Sequence, residues 1–109
     1  MGDTFDVLEK QYFTIKNNIG NLLAACQTDA QRDALRNAYA AARDNYNTAI
    51  NQVFKDNDLT VAGLRAELKD KQQQIEQSLT GLQDISAVIN AITAAVGVGT
   101  KLVAITGGP

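Results

Sequence analysis

Apolar residues recur in this chain at alternating spacings of three and four, row after row, with no proline to interrupt them. Phe5, Leu8, Tyr12, Ile15, Ile19, Leu22 and Cys26 make the first row. A helix returns side chains to one face at that interval, whereas a strand does so at every second residue. The lone proline is Pro109, so nothing before it forbids helix. Ala, Leu, Gln, Lys and Arg are plentiful, and all are good helix formers. The expected fold class is all-α.

Capping signals divide the rows. Asp3 or Thr4 can cap a first helix over about 4–27, with Phe13 and Leu23 widening its stripe. Thr28 followed by Gln31 reads as a capping box, and Asp29 suits a helix N-terminus. The short joint makes helices 1 and 2 antiparallel neighbours. No Gly or Pro marks it, so one continuous helix is the alternative. Helix 2, about 29–55, carries Leu35, Tyr39, Ala42, Tyr46, Ala49 and Val53, with Ala38, Ile50 and Phe54 beside them. Its alanines permit close helix approach, and the tyrosines fill the gaps with their hydroxyls at the rim. The turn KDNDLT follows. Thr60 is the expected cap of a third helix, with Leu59 and Leu64 spaced as a hydrophobic staple.

The third row is the longest. Val61, Leu64, Leu68, Lys71, Ile75, Ser78, Leu82, Ile85, Ile89, Ile92 and Val96 keep one heptad rhythm, which predicts a helix over 61–96 or beyond. The architecture expected is a single helical domain, 1–109: an up-down-up three-helix bundle, or antiparallel coiled coil, with a long third helix. The apolar tail 85–105 holds one charge, Lys101. A third helix running to Ile105 measures about 65 Å at 1.5 Å per residue, against about 40 Å for the first two. The tail from about Ala91 would overhang. Burying its large side chains is worth on the order of 10 kcal/mol, as much as a small domain's whole stability. Three covers are open: folding back by a bend at Gly97 and Gly99, a second copy, or a membrane or partner protein. Ala87, Ala91, Ala95 and Gly99 at every fourth position allow two helix backbones to approach.

Composition narrows the chemistry. There is no His, and Cys26 is alone on an apolar row, where it reads as a buried packing thiol. No disulfide, metal-ligand spacing or nucleotide loop is present; Gly97-Val98-Gly99-Thr100-Lys101 lacks the P-loop spacing and a preceding strand. The expectation is no enzyme, no cofactor and no metal. Ten Lys and Arg against twelve Asp and Glu, interspersed on helix 2, argue against nucleic acid. Nine Asn and nine Gln make faces that are solvated but weakly self-repelling, and so tolerant of association. The opening MGDTFD lacks the basic and apolar regions of a Sec signal peptide, which makes a cytoplasmic location the default and leaderless secretion the alternative.

The leading expectation is a non-enzymatic assembly or interaction protein that homo-oligomerises through the apolar end of its third helix. Ile85, Ile89, Ala91, Ile92, Ala95, Val96 and Leu102 are the expected contacts, and Ile92→Asp is expected to dissociate the oligomer. The alternative is a membrane-active protein, pore-forming or translocator-like, whose tail inserts in a bilayer. A weaker alternative is an adaptor or immunity-type protein that binds another helical chain.

Overall fold

The computed structural model describes residues 2–52, 54–80 and 84–106. Four helices account for nearly all of them: α1 (Asp3–Ala25), α2 (Asp29–Ile50), α3 (Leu59–Thr80) and α4 (Ile85–Thr106). No strand occurs among the described residues. The all-α class stands, but the three-helix count does not. The long third helix is two helices, and the second of them returns along the first.

The break has local causes. Near the end of α3, Ser78 and Thr80 turn their hydroxyls back onto the carbonyls of Gln74 and Glu76, at 2.8 and 2.7 Å. Such back-bonding competes with helix continuation. Leu82, counted in the third row, lies outside the described residues. Asp84 then starts α4: its carboxylate accepts from the Ser86 N–H at 3.3 Å, and its carbonyl takes the first helical bonds from Ala87 and Val88. Gly97 and Gly99, expected to bend the tail, lie inside α4. The fold-back comes earlier.

The other boundaries mix agreement and correction. Thr28 and Gln31 form the capping box, with Gln31 N–H to Thr28 Oγ1 at 3.1 Å and Thr28 N–H to Gln31 Oε1 at 3.3 Å. The helix N-cap of α1 is Gly2, not Asp3 or Thr4. Asp58 caps α3 in place of Thr60, accepting from the N–H groups of Thr60 and Val61 at 2.9 and 3.2 Å. A carboxylate there also suits the positive helix end. Leu59 is 89% exposed, so the expected staple to Leu64 is absent. Helix 2 stops at Ile50 rather than 55.

The helices are nearly equal in length, 23 residues in α1 and 22 in each of the others, so among the described residues no helix overhangs. They form two hairpins, α1–α2 and α3–α4. The hairpins lie against each other with α1 beside α3 and α2 beside α4, each of these pairs parallel. Gln31 reaches Ser86 near one end of the α2–α4 pair, and Asn45 reaches Thr100 further along. On the α1–α3 side Thr14 meets Gln72. Among the described residues α2 and α3 do not touch, so the connection between them crosses the end of the bundle from corner to corner. The bundle measures 42 × 22 × 19 Å.

Each helix gives its apolar row to one core. Leu8, Ile15, Leu35, Leu68, Ile75, Ile92 and Leu102 are essentially closed to solvent. On α2 the innermost residues are Leu35, Ala38, Ala42, Asn45 and Ala49. Tyr39 and Tyr46, expected on that row, sit half-buried at its edge and stack on either side of the Tyr12 ring, at 5.9 and 4.9 Å. Cys26 is buried, and its thiol donates to the Leu22 carbonyl.

Candidate functional site

Six of the seven side chains expected at an interface lie within the bundle's own core: Ile85, Ile89, Ile92, Ala95, Val96 and Leu102. Ala91 is half-buried. Successive positions of an i, i+4 row advance about 40° around a helix. The row Ala87, Ala91, Ala95, Gly99 therefore winds from the outside inward, with Ala87 exposed and Ala95 and Gly99 buried.

A different row faces out. Ala87, Asn90, Ala94, Gly97, Lys101 and Ala104 are exposed along α4. A shallow groove runs along either side. The α3 side, about 520 Å³, is lined by Gln74, Gln77 and Ser78 of α3 and by Ala87, Asn90, Ala91 and Ala94 of α4. The α2 side, about 380 Å³, is lined by Ala34, Asn37, Ala38 and Ala41 of α2 and by Thr93, Val96, Gly97 and Thr100 of α4. No described residue lining either groove is charged, in a chain where 20% of residues are. The linings are mostly small side chains and amides, the kind that lets helix backbones approach closely. A third groove, about 540 Å³, lies where the hairpin turns meet and carries one charge, Asp84.

Catalytic chemistry finds no constellation in these grooves. Among the described residues there is no group of three or more Cys, Asp or Glu placed to hold a metal. The most structured polar cluster is elsewhere, at the opposite end of the bundle. Asp56, in the α2–α3 connection, accepts from both the N–H and the hydroxyl of Thr4 through one carboxylate oxygen. Arg65 closes the cluster, 3.6 Å from that carboxylate and donating to the Asp56 carbonyl at 3.2 Å. Asp56 thus caps α1 from outside the helix, doing what Thr4 was expected to do from within it.

The hydrogen bond from Thr4 is the main reason the Asp56 carboxyl lies below the ordinary Asp value; burial opposes the shift, and Arg65 adds to it. A depressed folded pKa means the cluster stabilises the fold above the unfolded value of about 3.9 and loses that contribution as pH falls through the folded one. The urea midpoint of the protein is therefore expected to drop as pH is lowered below about 4. Asp56→Asn should show a shallower drop. Parallel acid titrations of the two would refute the assignment.

By length and composition Ile85–Ile105 is also able to cross a membrane, with 44% of that stretch buried in the bundle. A core helix of a bundle meets the same description.

The fold and its surfaces define a four-helix bundle in which the described residues lining the two grooves beside α4 carry no charge. No protein-family model matches the chain, and no curated protein and no solved structure matches it either.

Proposed function

We propose that this protein is a non-enzymatic assembly module that homo-oligomerises, with the outward face of α4 as the contact. The observation that carries the reading is the absence of charge from both grooves flanking α4. Surfaces that avoid self-contact usually interleave charges; interface centres are depleted of them. Small residues along Ala87, Ala94 and Gly97 let a second helix approach, and the amides at its edges supply hydrogen bonds without a charge to desolvate. This keeps self-association on the same helix as the sequence suggests but moves it from the buried row to the exposed one.

Ala94→Glu tests it. A carboxylate at the centre of a two-fold contact faces its own copy, which adds like-charge repulsion to desolvation. Self-association, followed by analytical ultracentrifugation, is expected to weaken by at least about tenfold, with helicity unchanged. A wild-type protein that stays monomeric at high micromolar concentration would end this reading.

A second reading, membrane insertion of α4, is favoured by the length and apolarity of Ile85–Ile105. It requires α4 to leave the bundle, so its signature is flotation with liposomes together with loss of the folded core.

A further inference from the structure

We propose that Tyr12 and Tyr39 form a site of oxidative modification, at which a one-electron oxidant joins α1 to α2 through a dityrosine bond within one chain. The site lies in the α1–α2 hairpin and does not depend on the outward face of α4.

The chain has three tyrosines and no tryptophan. All three tyrosines stand in one stack. The Tyr12 ring lies between Tyr46 at 4.9 Å and Tyr39 at 5.9 Å, with interplanar angles of 11° and 7°. Where indole is absent, phenols are the most readily oxidised aromatic side chains, so oxidising equivalents that reach the rings of this protein settle here. The competing thiol is poorly placed to intercept them, since Cys26 is buried and donates to the Leu22 carbonyl at 3.3 Å. Tyr39 and Tyr46 are half-buried, which leaves the edges of the stack open to an outer-sphere oxidant. Tyr12 between them is 9% exposed. Phe13 packs edge-on against it at 5.1 Å, and the Lys16 ammonium lies 5.9 Å from its ring centre. A radical on Tyr12 is thus walled off from a second copy and meets its stacked neighbours instead.

Two neighbours compete for Tyr12, and the hydroxyls choose between them. Dityrosine forms at the ring carbons ortho to the hydroxyl, so the phenol ends must meet rather than the ring centres. Tyr46, the nearer ring, turns its hydroxyl to the Glu9 carboxylate at 3.5 Å. The Tyr39 hydroxyl is hydrogen-bonded with Tyr12, and that bond is the main reason its pKa lies above the ordinary tyrosine value; burial adds to the shift. Tyr39 therefore stays protonated at neutral pH and loses its electron and its proton together. Coupling consumes two equivalents of oxidant. Each phenol gives one electron to the oxidant and its hydroxyl proton to water. The two radicals pair to make one carbon–carbon bond between ortho positions. Each of those carbons then passes its hydrogen to its own oxygen by way of water, which restores both phenols. The product is lighter by two hydrogens. A bond across the α1–α2 turn also restricts the unfolded chain, as a disulfide does.

Trypsin cuts after Lys10, Lys16, Arg36, Arg43 and Lys55, so each tyrosine leaves on its own peptide, 11–16, 37–43 or 44–55. The folded protein is oxidised with tris(bipyridyl)ruthenium(III), generated by light with persulfate, and the monomer is isolated by size exclusion before digestion. The main product expected joins 11–16 to 37–43, has their summed mass less two hydrogens, and shows the blue fluorescence of dityrosine. Tyr39→Phe should remove that fluorescence from the monomer, and Tyr46→Phe should keep it. In urea, where the stack is gone, the preference for 37–43 over 44–55 as the partner of 11–16 should disappear. The cross-linked monomer should unfold at higher urea than the untreated one. A main product joining 11–16 to 44–55 overturns the pairing, and so does an unchanged preference in the unfolded chain. A midpoint that does not rise overturns the fit of the bond to the native stack. Dityrosine confined to dimers, or tyrosine oxidation without coupling, overturns the site. The wild-type peptide map decides these points even where a variant fails to fold.

Discussion

A chain that stops at Asp84 is expected to lose its folded structure, not just a tail. α4 contributes Ile85, Val88, Ile89, Ile92, Val96, Val98 and Leu102 to the core. At about 1.5–3 kcal/mol for each large side chain buried, their removal outweighs the roughly 5–15 kcal/mol that holds a domain of this size together. The loss also uncovers Leu35 on α2 and Leu68 and Ile75 on α3, all closed to solvent in the intact bundle. The expected result by circular dichroism is weak helicity with no cooperative thermal transition. A truncated protein that melts sharply would show that α1, α2 and α3 make a core of their own and that α4 only covers it. Truncation is for the same reason a poor control in liposome work, because it exposes new apolar surface while removing the candidate span.

Ile92→Asp is the second large effect, and the structure changes its meaning. Read from the sequence, Ile92 is a contact whose charge would dissociate an oligomer. In the bundle it is 1% exposed, on the inner side of α4. A carboxylate there either ionises in an apolar surround or takes up a proton, and both cost free energy. We expect a loss of about 4 kcal/mol or more, enough to unfold a marginal domain, read as a collapse of the urea midpoint. Ala94, two positions on, faces outward, and Ala94→Glu should move the same midpoint by about 0.5 kcal/mol or less. The pair separates folding from association on one helix. An Ile92→Asp protein with wild-type stability would place that side chain outside the core.

Helices 1 and 2 were legible because their periodicity and their capping box lie within a few residues of each other and depend on little else. Phe5, Leu8, Tyr12 and Ile15 are buried as their spacing requires. The boundary between α3 and α4 was not legible from periodicity, because the heptad rhythm happens to run through it: Ile75 and Ile85 both fit one row, yet they belong to helices of opposite direction. The usable signal was local. Asp84 follows the rule for a helix start, and Asp84-Ile85-Ser86 opens the apolar run as a cap should. Asn45 shows a second limit. It falls on the inner row of α2, but an amide there reads as surface until Thr100 is brought opposite it by the fold-back. Gln11 and Gln72 hid in the same way, since one spacing serves a buried polar residue and an exposed one. The outward row of α4 became visible only when the inward row was taken up by α2 and α3.

The corner-to-corner connection between the hairpins has a mechanical consequence. Gly2 lies against Asp56, and Val103 is bonded to Gln52, so the start of α1, the end of α4 and the crossing all gather at one end of the bundle. Tension applied between residues 3 and 106 would act across that end and draw α1 and α4 apart like the halves of a zipper, rupturing contacts in succession. Tension applied between the hairpin turns at the far end and the crossing would instead load the helices along their length, where many contacts resist together. The molecule is built to be soft when pulled by its ends and stiff when pulled along its axis.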